Sequence, residues 1–256
     1  MDALPLERLR EGLREQTAGL ARTMDGTDPD RHVPTCPKWC LRDLVAHVGD
    51  AHRWAADLVE RRATEPVPMN ASTAPQDPRG WSGWLLEGVE RLAGAVDAVG
   101  PDTVVWTFLG PRPPRFWVRR MLHDTAVHHA DAAISVGGDF ALAPDLAADA
   151  LCEALEMLSG PDVATLKPAL AGLRGSGERL RLHPDEPGVA GWLITRAPDG
   201  VAWERADDAK ADVTLRGPVA ELLLVFARRL PPDDPRITVS GDRSLLDHWL
   251  SLTAFE

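Results

Sequence analysis

The sequence predicts an α+β protein, with helices over residues 1–165 forming a bundle and a small α+β domain with an antiparallel sheet over 175–256. Three patterns carry this. Five segments before residue 160 repeat apolar side chains every three or four positions, the signature of one buried helical face. From about Gly175 the spacing changes to short runs rich in branched residues and Trp, separated by Pro, Gly and Asp turns. A strongly apolar helical run and a final short strand and helix then complete the chain.

The first helix is expected over 5–24, where Leu6, Leu9, Leu13, Leu20 and Met24 make a stripe and Gly26 and Pro29 end it. The second runs over 39–62, with Leu41, Leu44, Val45, Val48, Ala55, Leu58 and Val59 on one side, until Pro66 and Pro68 stop it. A proline-rich loop leads to a third helix over 80–99, carried by Trp84, Leu85, Val89, Leu92 and Val96. Pro111, Pro113 and Pro114 precede a fourth over 115–136, and a fifth over 144–158 stops at Gly160-Pro161. Strands are expected over 179–183, 191–196, 201–205 and 212–216 as an antiparallel meander, followed by a helix over 218–230, a strand over 237–240 and a helix over 243–253.

At 256 residues with 44% hydrophobic content the chain can bury a proper core. A formal net charge of -11 argues against a nucleic-acid surface or an anionic membrane as the main partner, which points to small-molecule chemistry. The N-terminus lacks a basic segment followed by an apolar run, and no apolar stretch reaches the ~20 residues of a membrane span, so a cytoplasmic location is expected. The three cysteines, Cys36, Cys40 and Cys152, are odd in number and lack C-x-x-C spacing, so they read as reduced bystanders.

Polar side chains interrupt two of the apolar faces. Asp124 and His128, four residues apart, project together beside Trp117, Met121, Thr125 and Ala132. His47 falls at the edge of the second helix's stripe, near Ala51, Trp54 and Leu58. A buried carboxylate needs compensation, and a divalent metal held by His47, Asp124 and His128 with a free fourth position would supply it in catalytic geometry. A helix-face ion pair and an ordinary hydrogen-bonded histidine satisfy the same spacing. Asp131, three residues after His128, is placed to accept the imidazole's second N–H or to be a solvated acid. Arg119 and Arg120 could attract a carboxylate substrate or be a solvated pair near the helix start, and Arg228, Arg229 and Arg243 are anion-contact candidates. His123 and His129 are expected to leave the inward face, His52 to be structural, and His32, His183 and His248 to lack partners.

The segments Trp39 to Val48 and Arg119 to Ala132 resemble the mycothiol-dependent maleylpyruvate isomerase family, as do Gly217-Pro218-Val219-Ala220-Glu221-Leu222-Leu223-Leu224 and Val239-Ser240-Gly241-Asp242 in the C-terminal third. The resemblance spans nearly the whole chain and implies a DinB-like four-helix bundle, with the second domain closing the cleft. It implies a divalent metal, zinc, on a helix-two histidine and a Glu-x-x-x-His pair, which map to His47, Asp124 and His128. Asp124 stands where the family has glutamate, and His129 where it commonly has arginine. The resemblance also implies an anion-binding arginine in the second domain, and Arg229 and Arg243 are the catalytic candidates for it.

On this reading the partners are mycothiol and an electrophilic small molecule, and the protein is a monomer or homodimer. Thiolate addition to the electrophile leads either to cis–trans isomerisation of a maleylpyruvate-like acid or to S-transfer. Two rival readings are a thiol-independent metal hydrolase or lyase, and a non-catalytic metal-binding protein.

Overall fold

A computed structural model describes residues 3–160 and 167–253. It divides into two compact units, Leu4–Ala141 and the residues from Leu142 onward. The expected domain limit at residue 165 lies outside the described residues, as does Pro161. The helix over 144–158 belongs with the second unit, because its apolar face packs on the helix Val219–Phe226 of that unit.

The first unit contains four long helices: α1 (Leu6–Thr23), α2 (Leu41–Glu60), α3 (Trp81–Val99) and α4 (Arg115–Val136). Helices α1 and α2 each pack against both α3 and α4. Two glycines set the closeness of this packing. A Cβ at Gly49 of α2 would overlap the Trp84 ring of α3, and one at Gly19 of α1 would overlap the His129 ring of α4. Leu41, Leu44, Val45 and Val48 join Trp81, Trp84 and Leu85 in one buried cluster with Leu20 and Met24. Gly137, at φ 68°, ends α4 in the left-handed conformation, and the Gly138 N–H closes back on the Ala133 carbonyl at 2.9 Å.

Two expectations for this unit are corrected. Helix α2 begins at Leu41 rather than residue 39, because the Asp43 carboxylate accepts the Cys40 N–H at 2.9 Å and fixes the first turn there. Trp39 is thereby left in the preceding turn. His123 and His129 do not leave the interior; both are buried. Helix α4 is buried on most of its circumference, and His129 packs against Gly19 of α1.

The second unit holds α5 (Pro144–Leu158), a 3-10 helix (Pro168–Leu173), β1 (Glu178–Pro184), β2 (Trp192–Ala197), β3 (Gly200–Arg205), β4 (Val213–Gly217), α6 (Val219–Phe226), β5 (Thr238–Gly241) and α7 (Arg243–Leu252). The sheet order is β3-β2-β1-β4-β5. It is mixed rather than wholly antiparallel: β4 runs parallel to β1, with Leu180 opposite Val213 and Leu182 opposite Leu215. All four of these side chains are fully buried, so the parallel register makes β1 a central strand with its apolar residues aligned. The apolar helix α6 ends at Phe226, short of the expected 230, and Arg228 adopts φ 61° just beyond it. Among the described residues no helix is long and apolar enough to cross a membrane.

Replacing Gly49 by Ala forces a methyl group into the Trp84 ring and should cost about 1–3 kcal/mol in denaturant unfolding. A second prediction concerns acid. His52 is buried, its Nε2 lies 2.8 Å from Thr125 Oγ1, and burial pushes its imidazole down to about 4 against the opposing charge of Asp124. The native state therefore stays neutral there while the unfolded chain takes up a proton below about 6.5, so stability is lost as pH falls from 6.5 to 4, by up to about 3 kcal/mol. Unfolding curves of His52→Gln across this window should show a shallower decline than the unaltered protein.

Candidate metal centre

Helix α2 presents His47, Ala51, Trp54 and Leu58 along one face, and α4 presents Trp117, Met121, Asp124 and His128. Where the two helices meet, one ligand-type atom from each of His47, Asp124 and His128 lies within 4.8 Å of the others. The His47 Nε2 stands 3.5 Å from Asp124 Oδ2, and the His128 Nε2 3.9 Å from the same oxygen. The side chains are graded in exposure, His47 at 37%, Asp124 at 25% and His128 at 9%, so the group is reached from solvent on the α2 side.

A second layer lies behind His128. Asp131, with no solvent exposure, takes the His128 Nδ1 at 2.9 Å on its Oδ2. A carboxylate only accepts, so Nδ1 carries the hydrogen and Nε2 turns its lone pair toward Asp124 and His47. The Cys36 thiol donates to the same Asp131 oxygen at 3.6 Å. Cys36, His128 and Asp131 also cluster closely enough to bind a cation. Their atoms, however, are already hydrogen-bonded to each other, whereas the His47–Asp124–His128 group stands further apart.

Arg120 donates to Asp124 Oδ1 at 3.1 Å, on the opposite oxygen from the two imidazoles. Burial pushes the Asp124 carboxyl upward, but the close His47 imidazole, His128 and the Arg120 guanidinium outweigh it and hold the group well below the usual carboxylate range. Trp39 covers the pair of imidazoles, its ring centroid 4.8 Å from His47 and 5.5 Å from His128.

The structure brings the three expected groups together and settles Asp131, open between acceptor and solvated acid, as the acceptor for His128, whereas Arg120, expected to meet a carboxylate substrate or solvent, pairs with Asp124. Sequence reasoning missed Trp39 and treated Cys36 as a bystander. The signal that could have found Trp39 is its place at the expected start of the helix that carries His47, eight residues before that histidine. The second-unit candidates Arg229 and Arg243 have partners within their own unit. Arg229, in the second unit, donates to the Ala227 carbonyl at 2.7 Å. Arg243 is ion-paired with Asp233 at 2.5 Å and Asp247 at 2.8 Å. His32, His183 and His248 do have partners: the Pro37 carbonyl, Arg181 and the Gly172 carbonyl respectively.

Comparison with known families gives two matches, to the mycothiol maleylpyruvate isomerase N-terminal domain over residues 10–133 and to the corresponding C-terminal domain over 141–248. The chain belongs to this family. Among solved structures, the mycothiol-dependent maleylpyruvate isomerase matches with a TM-score of 0.61 at 20% identity, covering 93% of this chain and 95% of the other. A histidine-to-alanine variant of that isomerase matches with a TM-score of 0.60 at the same identity and coverage. At this identity the likeness establishes the two-part fold. Comparison with curated proteins finds no match.

The tautomer assignment is directly measurable. Long-range proton–nitrogen NMR of the metal-free protein should show His128 protonated on Nδ1, and Asp131→Ala should shift it toward the Nε2-protonated form; an unchanged spectrum would contradict the assignment.

Proposed function

We propose that this member of the family is an enzyme that holds a divalent cation on His47, Asp124 and His128 and uses mycothiol to attack an electrophilic small molecule. The supporting observation is the spacing of the three donors. Ligands about 2.0–2.1 Å from a tetrahedral zinc stand roughly 3.3–3.5 Å apart, close to the 3.5 and 3.9 Å separations here. Two imidazoles and one carboxylate are also a catalytic zinc set, with a coordination position left for a thiol or water. When bound, the cation supplies a Lewis acid that lowers the pKa of a thiol beside it.

The protein's own groups then have distinct tasks. Asp131 fixes the His128 ring in the tautomer that exposes Nε2. Arg120 holds one oxygen of Asp124 and leaves the other facing the imidazoles. The Trp39 ring excludes water from one side of both histidines. The sulfur of mycothiol forms a bond to the electrophilic carbon, and the double-bond electron pair moves onto the conjugated carbonyl. Rotation about the former double bond and expulsion of the thiol give the cis–trans isomer of a maleylpyruvate-like acid. Protonation of the adjacent carbon instead retains the adduct and gives S-transfer. Both outcomes require the same first step, and the net negative charge and three cysteines outside any disulfide accord with a small-molecule enzyme of a reducing cytoplasm.

Purified protein should carry about one divalent ion per chain by elemental analysis, and His47→Ala and Asp124→Ala should each lose it. Asp131→Asn should weaken zinc affinity roughly 10–100-fold while keeping the stoichiometry at saturation. A panel of α,β-unsaturated acids and ketones should be consumed or isomerised only when mycothiol is present; mycothiol-independent turnover, or none across the panel, would overturn the thiol chemistry.

A further inference from the structure

Trp54 stands seven residues beyond His47 on α2, and Trp117 seven residues before Asp124 on α4. Seven residues make two turns, about 10 Å, so each indole lies on the helical face that carries the metal-ligand candidate, one step along the same seam. The ring centroids of Trp54 and Trp117 are 5.0 Å apart. The loop 100–113 adds two more rings. Phe108 stacks on Trp54 at 6.2 Å and meets Trp106 at 5.2 Å and Trp117 at 5.3 Å, while Trp106 stacks on Trp117 at 6.0 Å.

The cluster is closed at Trp117 and open along one edge. Trp117 is fully buried, Trp54 and Trp106 are half-buried, and Phe108 is 39% exposed. Met69 and Val104, also exposed, belong to the two loops that anchor the cluster. The anchoring is through backbone: Trp54 Nε1 donates to the Val67 carbonyl at 2.8 Å, the Trp106 amide to Ala63 at 2.6 Å and Trp117 Nε1 to the Trp106 carbonyl at 3.0 Å. The Trp54 and Trp117 indole N–H groups are therefore spent inside the protein, and what remains on offer is ring surface of Trp54, Trp106 and Phe108. A fixed aromatic surface left partly in water, with few donors, suits an apolar planar ligand.

We propose that this surface is the subsite for an aryl substituent of the electrophilic substrate, so that the enzyme prefers aryl-substituted enones to small aliphatic acceptors. The inference rests on the thiol chemistry proposed for the neighbouring histidine–aspartate group. Addition to an aryl enone forms one C–S bond at the β-carbon, moves the π pair onto the carbonyl oxygen, and returns the thiol proton to the α-carbon. No oxidant and no leaving group are involved.

Two measurements test this. In the first, 4-phenylbutan-2-one and 2-pentanone, which are saturated and unreactive, are titrated against the protein without thiol by tryptophan fluorescence. The phenyl ketone should bind about tenfold more tightly or better, and Phe108→Ala, which alters an exposed side chain, should remove most of that preference, as should Trp54→Leu. In the second, mycothiol addition is followed with 4-phenylbut-3-en-2-one and 3-penten-2-one, each rate divided by its uncatalysed rate. Phe108→Ala should lower kcat/KM about tenfold for the phenyl enone only, leaving the KM for mycothiol unchanged. Equal binding of the two ketones overturns the subsite. A rise in the KM for mycothiol with both enones also overturns it, since the rings then receive the sugar portion of the thiol. Selective phenyl binding without mycothiol-dependent turnover supports the subsite and instead removes the thiol reading.

Discussion

The hydrogen bond from His128 Nδ1 to the buried Asp131 carboxylate is the contact on which the site depends. An ionised acid with no solvent exposure costs several kcal/mol unless its oxygens are satisfied, and the imidazole N–H and the Cys36 thiol satisfy one of them together. The return on that arrangement is orientation: with Nδ1 committed, His128 has a single nitrogen left and it faces Asp124 and His47. Helix α4 thus carries a polar seam through the interior of its unit. That seam is tolerated because cohesion comes from elsewhere, from the close α2–α3 approach over Gly49 and Trp84 and the α1–α4 approach over Gly19.

Much of this was readable from the residues, for identifiable reasons. The limits of α4 were legible because Pro114 and Gly137 bracket it, and Asp124 and His128 because a four-residue step fixes a shared face. The burial of His123 and His129 was not, since periodicity describes one buried face and α4 is enclosed on most sides. The role of Cys36 depends on how the 24–40 loop is routed past α4, which no local pattern encodes. The parallel pairing of β1 with β4 joins strands about 30 residues apart, and nothing within either strand specifies its partner. Similarly, the apolar stripe of α5 announces burial without saying which unit it is buried in.

Asp124 stands where the family resemblance implies glutamate, and the shorter acid still brings Oδ2 to both imidazoles while Arg120 secures Oδ1. With aspartate at this position the three donors still converge. The approach of α2 to α4 also brings Trp54 against Trp117 two turns further along, so one helix seam presents a polar end suited to a cation and an aromatic end suited to an apolar group. Helical spacing alone sets the distance between the two, which is why a change in chemistry at one end need not disturb the other.

Anomalous diffraction at the zinc edge from crystals of the zinc-loaded protein tests the central claim most directly. The account predicts a single strong peak bonded to His47 Nε2, His128 Nε2 and one Asp124 oxygen at about 2.0–2.2 Å. A peak on Cys36 and Asp131 instead, or no ordered zinc between α2 and α4, would contradict it.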